Sequence, residues 1–95
     1  MTVYVVLERQ CIVDEYGEHR QIYEFSGLVY STLQKAYKWV KDACKYFDPR
    51  LITSGEKEYE KFKEGSDKSY FDYGFYRIVK SDVNSGNDRY GVYEL

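Results

Sequence analysis

The sequence predicts an α+β fold: a four-stranded antiparallel sheet in the order β-β-α-β-β, with one long helix (about 32–47) on one face and a short helical excursion at 50–69. Three observations support it. An alternating apolar run opens the chain, a run of helical periodicity follows, and a dense aromatic run comes near the end. A chain of 95 residues has room for one hydrophobic core, so we expect a single domain over 1–95.

The first two strands are predicted to form a hairpin. Residues 2–13 are rich in β-branched and apolar side chains that alternate along the chain, and residues 19–29 form the returning strand. The intervening D-E-Y-G-E stretch, residues 14–18, supplies an aspartate that starts a turn and a glycine that tolerates positive φ. Gly27, inside the second strand, indicates a bulge or the close approach of another element.

The long helix has the clearest pattern in the chain. Ser31 and Gln34 fit a capping box, with Ser31 as the N-cap. The helix is predicted to end before Asp48-Pro49, because the residue before a proline is disfavoured in helical backbone. Between these limits, apolar residues recur at helical spacing and form one face: Leu33, Ala36, Tyr37, Val40, Cys44 and Phe47.

The second half of the chain alternates charged and aromatic segments. Residues 50–69 contain the run E-K-E-Y-E-K-F-K-E, whose opposite charges at helical spacing indicate a short helix. Residues 70–80 are predicted as one aromatic strand and residues 89–95 as the last strand. Alternation along the aromatic strand divides its side chains into two faces: Tyr70, Tyr76 and Ile78 on one, Phe71, Tyr73, Phe75 and Val79 on the other.

The charge balance and hydropathy exclude several classes of partner. The chain has 14 basic and 16 acidic residues and a formal net charge of −2. That balance argues against binding to the phosphate backbone of nucleic acids. No apolar run is long enough to span a membrane, and the first residues lack the basic segment and apolar core of a secretory signal. We therefore expect a cytoplasmic protein that binds neither nucleic acid nor membrane.

The sequence contains no catalytic or cofactor motif that we can identify. Two cysteines and one histidine are too few for a structural zinc site, and the glycines form no phosphate-binding loop. We expect no cofactor, no metal and no enzymatic activity. Cys11 and Cys44 are predicted to be reduced, buried thiols and His19 a solvated turn residue. Two alternatives are a disulfide, which requires strand and helix to bring Cys11 and Cys44 close, and a catalytic pair of either cysteine with His19.

Aromatic residues suggest where the protein binds. They make up 19% of the chain, and 12 of them are tyrosines. One helix covers only one face of a sheet, yet the predicted strands carry apolar side chains on both faces. An uncovered apolar face is typical of an interaction surface. We therefore predict a non-catalytic binding module, an inhibitor or adaptor that contacts a protein partner or a second copy of itself in a homodimer.

The candidate binding residues come from the helix flank, the excursion and the last two strands: Trp39, Tyr46, Tyr59, Phe62, Tyr73, Tyr76, Arg77 and Arg89. Trp39 and Tyr46 lie off the apolar face of the helix. We expect them either to pack with Tyr59 and Phe62 of the excursion or to share a partner interface with these two residues.

A second function also fits the sequence. The chain is then a ligand-binding or enzymatic domain with a pocket between the sheet and the 50–69 excursion. In that pocket Arg77, Arg89 and tyrosine hydroxyls would contact an anionic small molecule.

The first half of the chain resembles a family of small proteins. Its pattern is Val3-Tyr4-Val5-Val6-Leu7, the D-E-Y-G-E turn, and then Gly27-Leu28-Val29-Tyr30-Ser31-Thr32 leading into a helix with Ala36. This pattern is similar to small β-β-α-β proteins of bacteria and their phages, most of them described only as domains of unknown function. The resemblance implies the fold and carries no activity. Small acidic phage proteins include inhibitors of bacterial defence systems, which is a role that the resemblance allows.

Overall fold

The computed structural model describes residues 2–82 and confirms the α+β class, with a four-stranded antiparallel sheet and two helices. The predicted last strand, 89–95, and Arg89 lie outside the described residues. The elements in chain order are β1 Thr2–Val13, β2 His19–Tyr30, α1 Leu33–Cys44, α2 Pro49–Lys63, β3 Tyr70–Tyr73 and β4 Tyr76–Asp82.

The sheet has the strand order β2-β1-β4-β3, so β1 and β4 form its centre. β1 pairs with β2 along its length but with β4 only from Thr2 to Glu8. The predicted irregularity at Gly27 is confirmed, because the β1–β2 register shifts between Val6 and Leu7. Gly27 has a φ of +90°, a value that favours glycine.

The prediction of one aromatic strand over 70–80 is wrong. The segment turns back on itself at Gly74, whose φ of +60° permits a tight connection between β3 and β4. The turn changes the faces as well. Residues that lie opposite each other on the two strands of this hairpin project from the same face of the sheet. The prediction places these residues on two faces, but in the structure they share one: Phe71, Tyr73, Tyr76 and Ile78.

Both helices differ in extent from the predicted ones. α1 is shorter than 32–47, and its N-cap is Thr32 rather than Ser31, since the Thr32 hydroxyl accepts a hydrogen bond of 3.3 Å from the Lys35 N–H. The excursion is a helix of 15 residues rather than a short one. Asp48 caps α2 by accepting from the Arg50 N–H at 2.9 Å, and Pro49 occupies its first turn.

The main core lies between the helices and one face of the sheet. The predicted helix stripe is confirmed, because Ala36, Val40 and Cys44 are buried against this face. From the strands, five residues complete the buried cluster, and Tyr59 joins it from α2: Val6, Tyr30, Phe71, Tyr73 and Ile78. A second, smaller cluster of Val3, Val5 and Val29 lies on the opposite face and is also buried.

Candidate functional site

The predicted binding aromatics do not form one surface. Tyr59 is buried and stacks on Tyr37, with ring centroids 3.7 Å apart. Phe62 packs on Phe71 at 5.0 Å. Trp39 instead contacts the sheet, where its ring meets the edge of Tyr76 at 5.3 Å.

The remaining predicted residues lie in different places again. Tyr46, just after α1, is 87% exposed, whereas Tyr73 is fully buried. The expected group of four aromatics is therefore divided: Tyr59 and Phe62 belong to the core beneath α2, Trp39 flanks α1, and Tyr46 faces solvent.

Arg77 is held on the face of the sheet opposite the helices. Its guanidinium carbon lies 3.8 Å from the ring centroid of Tyr23 and 4.1 Å from that of Tyr70. Its Nε and Nη2 donate to the two carboxylate oxygens of Asp72, at 2.7 and 3.2 Å. This cation–π and ion-pair arrangement raises the pKa of Arg77 mainly through the hydrogen bond to Asp72. Arg77 therefore joins three strands and is not directed toward α2.

The proposed pocket between sheet and excursion is occupied in part by aromatic packing. A groove of about 240 Å³ does lie beside the end of α2, and Lys61, Lys68 and Tyr70 are among the residues that line it. Arg77 is not in this lining. Arg77 lies against Tyr23 and Tyr70 on the opposite face of the sheet, and Arg89 lies outside the described residues, so the second function stays a prediction.

A projecting hairpin is the feature that the sequence did not indicate. Beyond Glu8, β1 has no register pair with β4 and pairs only with β2. Residues 10–21, which are the end of β1, the turn and the start of β2, therefore form a two-stranded projecting ribbon. Every residue of this projecting ribbon except Asp14 is exposed. Strands of 12 residues are about twice the usual length. This length indicates that β1 and β2 extend beyond the shorter strands of the sheet.

The projecting ribbon and its base carry five of the six large apolar side chains that are exposed within residues 2–82. Among residues 2–82, six large apolar side chains are exposed, and three of them are on the ribbon: Ile12 at 40%, Val13 at 60% and Tyr16 at 81%. Two more lie at its base, Phe25 at 47% and Phe75 at 40%. Arg9 connects the base to the turn between β3 and β4, since its N–H donates to the Phe75 carbonyl at 2.7 Å and its guanidinium carbon lies 4.8 Å from the centroid of the Phe75 ring.

The tip of the ribbon is a well-ordered turn built around Asp14. One carboxylate oxygen of Asp14 accepts from the N–H groups of Tyr16 and Glu18, both at 2.9 Å. The other lies 3.1 Å from Arg20 Nε. Gly17 adopts a φ of +79°, which closes the turn and leaves Tyr16 facing solvent.

The two cysteines differ in environment, and the prediction that both are buried is wrong for Cys11. Cys11 is exposed on the ribbon, where its sulfur lies 3.8 Å from His19 Nδ1. Cys44 is buried in the core, and its thiol contacts the Tyr73 carbonyl at 3.8 Å. Burial raises the pKa of the Cys44 thiol.

This difference predicts a two-step thiol titration. In the native protein, Ellman's reagent should modify Cys11 at the rate of an exposed thiol. Cys44 should react about 10³-fold more slowly or slower still, because it must wait for the core to open. The variant Cys11→Ser should lose only the fast phase. Equal rates for both thiols in the folded wild type would contradict the buried position of Cys44.

No helix within residues 2–82 is long and apolar enough to cross a membrane. In the same part of the chain, no group of three or more His, Cys, Asp or Glu side chains is placed to hold a metal ion. No protein-family model, curated protein or solved structure matches the chain.

Proposed function

We propose that the protein is a non-catalytic binding module that contacts a protein partner through its projecting ribbon. The observation that carries this proposal is the concentration of exposed apolar side chains on the ribbon and at its base. Exposed apolar groups that cluster on a small protein commonly mark an interaction site, whereas scattered ones do not. Tyr16 is suited to such a contact, because a tyrosine supplies a large apolar body and a polar tip.

The charges of the ribbon define the chemistry of the partner. Asp14, Glu15 and Glu18 surround the tip, and Arg20 is already paired with Asp14. The tip is therefore acidic around an exposed tyrosine. A fitting partner presents an apolar cleft bordered by lysine or arginine side chains, since complementary charge favours both association rate and specificity.

The ordered turn at the tip favours tight binding. Three contacts to the Asp14 carboxylate hold the backbone around Tyr16 before any partner arrives. Binding then loses less conformational entropy than it would if the turn had to order itself on contact. A preordered turn suits an inhibitor or an adaptor, and we propose that class for the protein, as the resemblance of its first half to small bacterial and phage proteins also allows. The exposed Cys11 thiol fits a reducing compartment such as the cytoplasm.

The test compares partner capture by three versions of the protein. In the ribbon variant, Ile12→Thr, Val13→Thr and Tyr16→Ser remove the apolar side chains but keep residues compatible with strand and turn. The matched control is Tyr46→Ser, which removes an exposed tyrosine far from the ribbon in sequence. Partners identified by affinity purification and mass spectrometry should be retained by wild type and control. The ribbon variant should lose them while its unfolding free energy changes by less than about 1 kcal/mol. Identical capture by all three proteins would exclude the ribbon.

Self-association is a second candidate, favoured by the position of β2. Among the four strands described within residues 2–82, β2 lies at an edge of the sheet and is 12 residues long, and edge strands commonly pair with strands of other molecules. Two copies could pair their β2 edges about a two-fold axis. Sedimentation equilibrium at high micromolar concentration separates the candidates: a dimer supports edge pairing, and a monomer rules it out.

A further inference from the structure

A small cavity beside α1 is lined in part by Tyr30, a residue whose buried hydroxyl has no hydrogen-bond partner among the described residues. It measures about 170 Å³ and is lined by Tyr30, Lys35, Lys38, Trp39 and Asp42. The last residue of β2 therefore meets the exposed side of α1 here, away from the projecting ribbon. Its volume is below the roughly 300–1,000 Å³ of pockets for drug-sized ligands, so it suits a ligand with a single ring.

The hydroxyl of Tyr30 is the first observation that points to a ligand. Tyr30 is only 1% exposed, and its hydroxyl has no hydrogen-bond partner among the described residues. Burying a hydroxyl without a partner costs about 1–3 kcal/mol. Such groups are rare in folded proteins, and a phenylalanine would fill the same space without this cost. A bound acceptor would satisfy the hydroxyl.

The charges and the indole define the acceptor. Lys35 and Lys38 bring two ammonium groups to the cavity against the single carboxylate of Asp42, so the wall favours a negative ligand. Trp39 offers a flat apolar surface in the same wall. A ligand that uses every one of these groups has a planar ring and one anionic group.

We propose that this cavity binds a small aromatic carboxylate. Its ring would lie against Trp39, and its carboxylate would accept hydrogen bonds from the Tyr30 hydroxyl and the two lysines. The proposal is independent of the ribbon, because the cavity includes none of residues 10–21.

The chain offers a direct reporter, since Trp39 is its only tryptophan. The probe is sodium benzoate, and its neutral isostere benzamide is the control. Benzoate should change the tryptophan fluorescence saturably, with a Kd of about 1 mM or tighter, and benzamide should bind at least about tenfold more weakly. No saturation by benzoate up to about 10 mM, or equal effects of both compounds, would overturn the proposal.

Variants identify which groups bind. Tyr30→Phe removes only the unpartnered hydroxyl, so the protein should fold and yet bind benzoate about tenfold more weakly. Lys35→Met with Lys38→Met should weaken binding by at least the same factor, whereas Lys45→Met, at the other end of α1, should not. Wild-type affinity in the folded Tyr30→Phe protein, or in the folded double lysine variant, would show that the cavity does not recognise the carboxylate as proposed.

Discussion

Replacing Val40 with aspartate is expected to unfold the protein. Val40 has no exposed surface and belongs to the main core between α1 and the sheet. No charged residue within residues 2–82 is buried there to pair with a carboxylate. The aspartate would enter the core charged and without an ion-pair partner, or it would have to take up a proton, at a cost of several kcal/mol. That is comparable to the whole stability of a small domain, which is about 5–15 kcal/mol.

Circular dichroism during thermal unfolding measures this effect. The Val40→Asp protein should show no cooperative transition, or one lowered by tens of degrees. Gln34→Asp is the matched control, because position 34 is exposed in the first turn of the same helix, where an acidic side chain is favourable. Its unfolding free energy should change by less than about 0.5 kcal/mol. A Val40→Asp protein as stable as the control would mean that α1 presents a different face to the sheet.

The side of α1 that packs against the sheet is predictable from the sequence, because it depends only on the helical periodicity of apolar residues. Ala36, Val40 and Cys44 follow each other at four-residue intervals, and any sheet beneath the helix would bury them. Trp39 shows the limit of that argument. Its position on the helix places it off the stripe, but β4 lies far enough to that side for Tyr76 to contact it. The angular position of a residue does not reveal how wide the surface beneath the helix is.

Asp48-Pro49 shows why the extent of the second helix was missed. The pair predicts the end of the first helix, since a proline cannot continue one. The same two residues also favour the start of a helix, because Asp48 is an N-cap and Pro49 fits the first helical turn. α1 ends at Cys44, and the chain needs only a few residues before the next helix begins. A break between two helices and a break between helix and loop have the same local sequence.

The lengths of β1 and β2 indicate an overhang, but neither strand shows where the projecting ribbon begins. Its exposure depends on where β4 ceases to pair with β1, and that point is set by the turn at Gly74 in a distant part of the sequence. The aromatic run hid that turn, because a glycine between Tyr73 and Phe75 also fits a bulge in one continuous strand. The sequence therefore predicts a binding site at aromatic residues, several of which lie in the core, and does not single out Ile12, Val13 or Tyr16.

Adding one methyl group at Gly55 is expected to destabilise the protein, although alanine is the better helix former. Gly55 is buried in α2 where the helix crosses Tyr73 of β3. A Cβ at this position would lie 2.6 Å from Tyr73 Cδ2 and 3.1 Å from Tyr73 Cα. The second distance decides the sign, because a ring can rotate away but the backbone of a strand cannot. Tyr73 is also fully buried, and Tyr37 meets its ring edge-on at 5.6 Å, so little space is left for it to move.

Two opposing effects determine the size of the change. Glycine to alanine within a helix ordinarily gains about 1 kcal/mol, whereas overpacking a core commonly costs about 1–3 kcal/mol, and here helix and strand must separate. We expect Gly55→Ala to lower the unfolding free energy in urea by about 2 kcal/mol. Ser54→Ala, at the exposed neighbouring position, should be neutral or slightly stabilising. In a Tyr73→Ala background the cost of Gly55→Ala should fall, because the two ring carbons that the methyl group meets are gone and the contact with the Cα of residue 73 remains. If Gly55→Ala instead proves more stable than wild type, α2 does not approach β3 this closely, and the glycine serves no packing role.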